Sequence, residues 1–189
     1  MKEIRIHARA GQGAITTARI LAMAAFEQGK YALAFPHFGA ERMGAPMNAF
    51  VRLDGEKIRL RSRVHDPDYV IVVDPSLATN EEFGVFDGLK ADGVAIINFT
   101  GDPTPLARRT AARVQAIPAS QIAMEMLGQD RANTPLLGAF AAATGEIELS
   151  SLEKAILANF GEGKVGTRNV EAVRRAYDLV RGGQLAVSH

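Results

Sequence analysis

Cysteine is absent from this 189-residue chain. Its absence excludes disulfides, thiolate nucleophiles, cysteine-ligated zinc and cysteine-ligated iron–sulfur clusters together. Tryptophan is absent too, and aromatic residues make up only 6% of the sequence, so aliphatic and small side chains must fill the core. Neither sign of charge is in excess. The formal net charge is +1, which supplies no basic field for nucleic acid or an anionic membrane. Histidine is sparse, and His7, His37, His65 and His189 are too scattered for metal-ligand spacing. No run approaches the roughly 18 consecutive apolar residues of a membrane span. The opening Met1-Lys2-Glu3-Ile4-Arg5 lacks the apolar core of a signal peptide. The expected location is the cytoplasm.

What is present suits one domain spanning residues 1–189. A chain of this size buries about 70% of the surface its unfolded form exposes, so its core needs no staples. Ile4-Arg5-Ile6-His7-Ala8 alternates as a strand does. Gly11-Gln12-Gly13 follows, then a helix from Ala14 to Gln28 with Ile15, Ala18, Leu21, Ala22 and Ala25 at helical spacing. Gly29 stands where a helix stops, and Tyr31 to Phe35 reads as a second strand, completing a βαβ opening. Residues 36–47 have no clean period and read as a structured loop. Residues 48–53 and 57–63 read as strands joined through Asp54-Gly55, a hairpin signal. Tyr69 to Val73 is a continuous apolar run, the mark of a strand covered on both faces, and Asp74-Pro75 ends it. Residues 94–99 and 113–117 continue the sheet, and residues 119–127, 134–143, 151–159 and 170–180 read as helices. Ser150 and Glu153 form a capping box for the third of these. The expected fold class is α/β: a three-layer α/β/α sandwich, with a mostly parallel sheet, an antiparallel hairpin and a helical C-terminal portion.

The Gly11-Gln12-Gly13 loop sits between a strand and a helix, where bare backbone N–H groups and the helix dipole favour an anion. Arg9 stands just before it. Neither G-x-G-x-x-G nor G-x-x-x-x-G-K-[ST] is present, and no acidic residue ends the second strand to hold a ribose. Taken alone, the loop reads as a tight packing turn. His7 reads as a hydrogen-bonded core residue rather than a general base. No Ser-His-Asp arrangement or spaced carboxylate pair stands out; no catalytic residue and no metal ligand is assigned.

The motifs in order resemble the gamma subunit of 2-oxoacid:ferredoxin oxidoreductases, of the pyruvate type. They are Ile4 to Ala14 with its Gly11-Gln12-Gly13, Ala34 to Pro46, Ala49-Phe50-Val51-Arg52 with Ile58 to Ser62, and Pro67 to Pro75. Asn133-Thr134-Pro135-Leu136-Leu137-Gly138-Ala139 and Asn169 also fit, so the resemblance runs from Ile4 to about Tyr177. It implies a multisubunit enzyme that oxidatively decarboxylates a 2-oxoacid with CoA to an acyl-CoA, CO2 and reduced ferredoxin. It also implies alpha, beta and delta partner subunits that carry thiamine diphosphate, magnesium and iron–sulfur clusters, with no cofactor in this chain. The gamma part is implied to close the CoA side, which makes Arg9, Gly11, Gln12 and Gly13 candidates for that contact. The chain departs from the family at Ala8 and Ala10, where glycine is usual, and at Met43, where a second arginine is common. Ala accepts positive φ poorly, so Ala8 and Ala10 are expected in the ordinary β region.

The remaining candidates concern assembly. Phe35, Phe38 and Pro46 in an irregular Gly- and Pro-rich stretch suit an interface. Phe38, Gly39, Glu41, Arg42, Gly44 and Pro46 are the expected interface block, together with Arg59, Arg61 and Arg63, which alternate on one predicted strand. The three arginines either form a face salt-bridged to Glu41, Glu56 or Asp66, or meet another subunit or CoA phosphates. A stand-alone Rossmann-like nucleotide-binding module, a purely structural assembly module, and a gamma-type subunit for 2-oxoglutarate or another oxoacid remain as alternatives.

Overall fold

A computed structural model describes residues 1–37, 44–183 and 187–188. One sheet runs through the molecule in the order β2-β3-β1-β4-β5-β6-β7. Its strands are β1 (Lys2–Arg9), β2 (Tyr31–His37), β3 (Pro46–Asp54), β4 (Tyr69–Val72), β5 (Val94–Asn98), β6 (Arg113–Ile117) and β7 (Val187–Ser188). β1, β4, β5 and β6 are parallel neighbours. β3 is antiparallel to both β1 and β2, and β7 is antiparallel to β6. The opening βαβ unit is present, because β1 and β2 run in the same direction around helix α1 (Ala14–Glu27), but β3 lies between them.

Alternation along the strands divides the core into two layers. Ile4, Ile6, Ile71 and Ile96 face one cluster, and Val70, Val72, Ala95 and Ile97 face the other. The first cluster is covered by α1, α4 (Ala119–Leu127), α5 (Asn133–Thr144), α6 (Leu149–Phe160) and α7 (Lys164–Arg181). The second lies under the short helices α2 (Pro75–Thr79) and α3 (Thr104–Ala107) and a 3-10 turn at Glu81–Phe83, none of which is long enough to show a helical period in sequence. α1 buries Ala14, Ala18, Leu21 and Ala25; Ile15, read from spacing as part of that face, is 44% exposed on the other side. α5 is buried along most of its length, and Gly138 lets it press against α7: a Cβ there would meet the Val173 carbonyl at 2.2 Å.

Three expectations are corrected. Residues 57–63 form no strand, so Asp54-Gly55 does not close a hairpin. The antiparallel hairpin is instead β2 with β3, paired from Tyr31↔Asp54 to His37↔Asn48. The reason is Arg52, only 1% exposed. Its Nε donates to Glu3 Oε1 at 2.7 Å, and its other nitrogens donate to the carbonyls of Leu60 at 3.0 Å and Arg63 at 3.4 Å. The segment's carbonyls thus find a buried guanidinium rather than a ladder partner. The Ser150–Glu153 capping box does not form. Ser150 lies inside α6, whose N-cap is Glu148 with no side-chain hydrogen bond, and Glu153 accepts from Arg174 Nε of α7 at 2.5 Å and Nη2 at 2.8 Å. Finally, α7 begins at Lys164 rather than near 170. Gly163, Gly166 and Thr167 weaken its first turn locally, and burial against α5 overrides that weakness.

A candidate anion-binding cleft at the ends of the parallel strands

A cavity of about 980 Å³ opens where the parallel strands end. Its floor comes from the chain after β1 (Gly11, Gln12, Gly13), after β4 (Val73, Asp74, Pro75) and at the end of β5 (Asn98). α4, α5 and α7 supply the other walls through Ser120, Asn133 and Lys164 among others. This is the crevice in which open α/β sheets hold ligands, and the volume suits a nucleotide-sized one.

The glycine loop follows from its φ angles. Gly11 and Gly13 stand at φ 95° and 84°, which side chains other than glycine rarely adopt. Among the described residues no other residue type has positive φ; Ala8 lies within β1 as expected, whereas Ala10 lies in the turn after it, also without positive φ. Gly13 has a second reason to be glycine, since a Cβ there would lie 2.9 Å from Asn133 Nδ2. α1 starts at Gly13 with no side-chain cap, and its first amides face the cleft unclaimed by a side chain.

Arg9 and Gln12 are drawn into a network at the rim. The Arg9 amide donates to Gln12 Oε1 at 2.8 Å, and Gln12 Nε2 donates to Asp74 Oδ2 at 2.7 Å. Asp74 also caps α2 by accepting from the Ser76 amide at 2.9 Å. The Arg9 guanidinium lies 3.4 Å from Asp74 and donates to Ser76 Oγ at 2.8 Å and the Gly44 carbonyl at 3.1 Å. Burial pushes the Asp74 carboxyl up, but hydrogen bonds from Ser76 and Gln12 and the Arg9 charge hold it below the usual range. Of the four loop candidates, Gly11, Gln12 and Gly13 line the cavity, and Arg9 is turned onto its carboxylate partner beside it.

Sequence reasoning missed the far wall. Asn98 Nδ2 donates to the Val73 carbonyl at 3.0 Å and to Ser120 Oγ at 2.9 Å, while its Oδ1 accepts from the Ser120 amide at 3.1 Å. Asn169 accepts from Thr134 Oγ1 at 2.7 Å and donates to the Val165 carbonyl at 2.8 Å. Arg131, Lys164 and Arg168 add positive charge. The blocks around Asn133 and Asn169 were visible as motifs, but nothing in their spacing joined them to the glycine loop.

His7 lies in a different place. It is 5% exposed on the opposite face of β1 and accepts from Arg5 Nε at 3.0 Å. Burial, then the Arg5 charge, lowers its pKa to about 3. Arg5 reaches the carbonyls of His65, Val85 and Asp87. Arg5 and Arg52 thus pin irregular chain over this part of the sheet, and neither His7 nor Arg5 lines the cleft.

Of the interface candidates, Phe38, Gly39, Glu41 and Arg42 lie outside the described residues, as does Met43. Gly44 and Pro46 are exposed beside the Arg9 rim. Phe35 is half-buried, 5.3 Å from Phe50 between ring centroids. Arg59, Arg61 and Arg63 are exposed, and none forms an ion pair with Glu56 or Asp66. Pro46 pairs with Arg9, whereas Arg52, which holds the arginine segment, pairs with Glu3. The two groups therefore sit toward opposite ends of β1, roughly 20 Å apart at 3.3 Å per residue. A second, apolar depression of about 530 Å³ lies between α1 and the edge strand β2, where Phe26 is 76% exposed. Among the described residues no cluster of three or more metal-ligating side chains occurs, and no helix is long and apolar enough to cross a membrane.

With this geometry established, comparison with known proteins is direct. The family model for pyruvate ferredoxin/flavodoxin oxidoreductase matches residues 3–179. Pyruvate synthase subunit PorC of Methanosarcina barkeri is 52% identical over 96% of this chain and 98% of its own. The pyruvate/ketoisovalerate oxidoreductases common subunit gamma of Pyrococcus abyssi is 45% identical over 94% of this chain and 96% of its own. The crystal structure of pyruvate oxidoreductase subunit PORC from Thermotoga maritima superposes with a TM-score of 0.84 at 35% identity, covering 100% of this chain and 98% of that one.

Proposed function

The chain belongs to the pyruvate ferredoxin/flavodoxin oxidoreductase family, and from that membership we infer that it is the gamma subunit of a multisubunit pyruvate:ferredoxin oxidoreductase. The complex converts a 2-oxoacid, CoA and oxidised ferredoxin to an acyl-CoA, CO2 and reduced ferredoxin. This chain contributes no redox group. Without cysteine it has no thiolate for an iron–sulfur cluster; the clusters, thiamine diphosphate and magnesium are assigned to alpha, beta and delta partners on the family resemblance. The assembled enzyme works in the cytoplasm.

Its part is assembly and the CoA side of the active site. The observation that carries the second role is the cleft itself: the glycine loop, with α1 uncapped behind it, opens into a cavity of nucleotide size. A CoA phosphate is the kind of group such amides receive. The Arg9–Asp74–Gln12 network holds the loop's shape without filling the cavity. Gly44 and Pro46 are exposed at the rim beside Arg9, where a partner can meet them. Arg59, Arg61 and Arg63, at the other end of β1, serve a separate contact with an acidic partner surface. The exposed Phe26 and Ile15 on α1 add apolar surface that an assembly would cover.

The test is reconstitution of the complex with and without this chain, following CoA-dependent pyruvate oxidation with ferredoxin. Activity that returns only when the chain is added supports the reading. Full CoA-dependent turnover by the remaining chains rejects it.

A further inference from the structure

β2 is the last strand of the sheet, and among the described residues nothing pairs with its outer edge. Its sequence, Tyr31-Ala32-Leu33-Ala34-Phe35-Pro36-His37, carries no acidic residue, lysine or arginine, and a single proline near its end. Edge strands are ordinarily blunted by such charges, and a long apolar edge is a pairing site. Beside it on α1, Phe26 stands 76% exposed and Ile15 44%. Both border the hole of about 530 Å³ between α1 and β2, which is also lined by the small side chains of Ala18, Ala22 and Ala34.

A knob and a hole on one face fit a second copy of the same face, turned about a two-fold axis. The charges agree. Arg19 and Glu27 are exposed on one stripe of α1, one turn before and one turn after Met23, which sets them about 12 Å apart at 1.5 Å per residue. Neither forms an ion pair among the described residues, and Arg19 donates to Asn159 instead. With a second α1 laid antiparallel about Met23, each Arg19 would meet the other copy's Glu27. The spacing agrees as well. α1 packs chiefly over β2 and β3, so its axis lies about one strand spacing, ~4.8 Å, from a two-fold axis set half a spacing beyond β2. Two copies joined edge to edge therefore hold their α1 helices about 10 Å apart, a distance at which helices pack. With Ala34 at the axis, Leu33 of one copy stands across from Phe35 of the other, an apolar cross-strand pair.

We propose that this face joins two copies of the chain, through antiparallel pairing of their β2 edges and packing of their α1 helices, with each Phe26 seated in the other copy's hole. The pairing names what covers the apolar surface of α1. It rests on the assembly role given above only for its setting, since the self-complementary face is a property of this chain alone. No residue that lines the cleft at the strand ends lines this depression, so the two surfaces are separate. In a multisubunit enzyme, a paired chain of this kind sets two of each partner per complex.

The experiment is sedimentation equilibrium of the full chain over a range of concentrations, with hydrogen exchange of the β2 amides. It compares the wild type with Phe26→Asp, Arg19→Glu, Glu27→Arg and the double variant Arg19→Glu/Glu27→Arg. The wild type sediments at twice 20.3 kDa, and its β2 amides are protected. Phe26→Asp gives a monomer that keeps its circular-dichroism spectrum, because the side chain it replaces is exposed in the single chain. Each single charge variant sets like charges opposite each other at two symmetric points and raises the dimer Kd roughly tenfold. The double variant restores the opposite pairing and the wild-type Kd, a rescue that a role within one chain does not produce. A wild type that stays monomeric at every concentration overturns the proposal, and β2 protection that appears only when partner chains are added assigns the face to a partner subunit instead. A dimer that survives Phe26→Asp, or single variants that the double variant does not rescue, places the contact on another surface and equally overturns it. None of these outcomes touches the oxidoreductase reading, which the reconstitution above tests.

Discussion

Replacing Arg52 by alanine tests the least orthodox feature of the fold, a sheet face covered by irregular chain held on a buried guanidinium. The side chain is 1% exposed, pairs with Glu3 at 2.7 Å, holds the carbonyls of Leu60 and Arg63, and lies over the Phe35 ring at 5.5 Å. Removing one partner of a buried ion pair costs about 3–5 kcal/mol, a large part of the roughly 5–15 kcal/mol that holds a domain together. Arg52→Lys keeps a charge for Glu3 but cannot fork to both carbonyls, so it costs about 2 kcal/mol, two hydrogen bonds' worth. Urea denaturation gives the stabilities, and amide hydrogen exchange over residues 57–64 gives the order of the segment. Both variants should lose exchange protection in that segment before global unfolding. Arg52→Ala costing under about 1 kcal/mol, or unchanged exchange in the segment, refutes the argument that this side chain replaces a strand partner.

Further outcomes follow from the same contacts. His7 titrates near 3 when folded and near 6.5 when unfolded. The unfolded chain therefore takes up the proton first, and stability is lost as pH falls from about 6.5 toward 3. Between pH 7 and 5 the wild type should lose about 2 kcal/mol more than His7→Gln, measured by urea midpoints; equal losses contradict a neutral, buried His7. Arg61→Glu should change stability by no more than about 0.5 kcal/mol, being exposed, yet weaken assembly with the partner chains in size-exclusion chromatography; normal assembly shows that the arginine segment is not an interface. Gly13→Val combines a φ of 84° with a Cβ 2.9 Å from Asn133 Nδ2, costing about 1–2 kcal/mol in strain. It should raise the KM for CoA of the reconstituted complex; lost stability with an unchanged KM makes the loop a packing turn only.

The parallel body was legible because its strands are short apolar runs ended by turn residues. Tyr69 to Val73 and Val94 to Phe99 needed no tertiary information, and the structure places β4 and β5 there. α4 was legible to the residue because Pro118 and Gly128 bracket it. The failures share a cause. Lys57 to Arg63 alternates as a strand does, but its fate is decided by Arg52, a buried partner that no local pattern reveals. Ser150 and Glu153 have capping-box spacing, but the helix begins earlier and Glu153 is taken by Arg174 across the α6–α7 contact. The cleft was half legible. A glycine loop between strand and helix is a local signal, whereas Asn133 and Lys164 reach it only because α5 and α7 both begin at the same end of the sheet.

The central claim is that this chain works only as part of a larger oxidoreductase. Native mass spectrometry of the protein purified from its source under anaerobic conditions tests it most directly. The account predicts a complex in which this 20.3 kDa chain accompanies chains bearing thiamine diphosphate and iron–sulfur clusters. A lone chain that binds adenine nucleotide and associates with no such partners contradicts it.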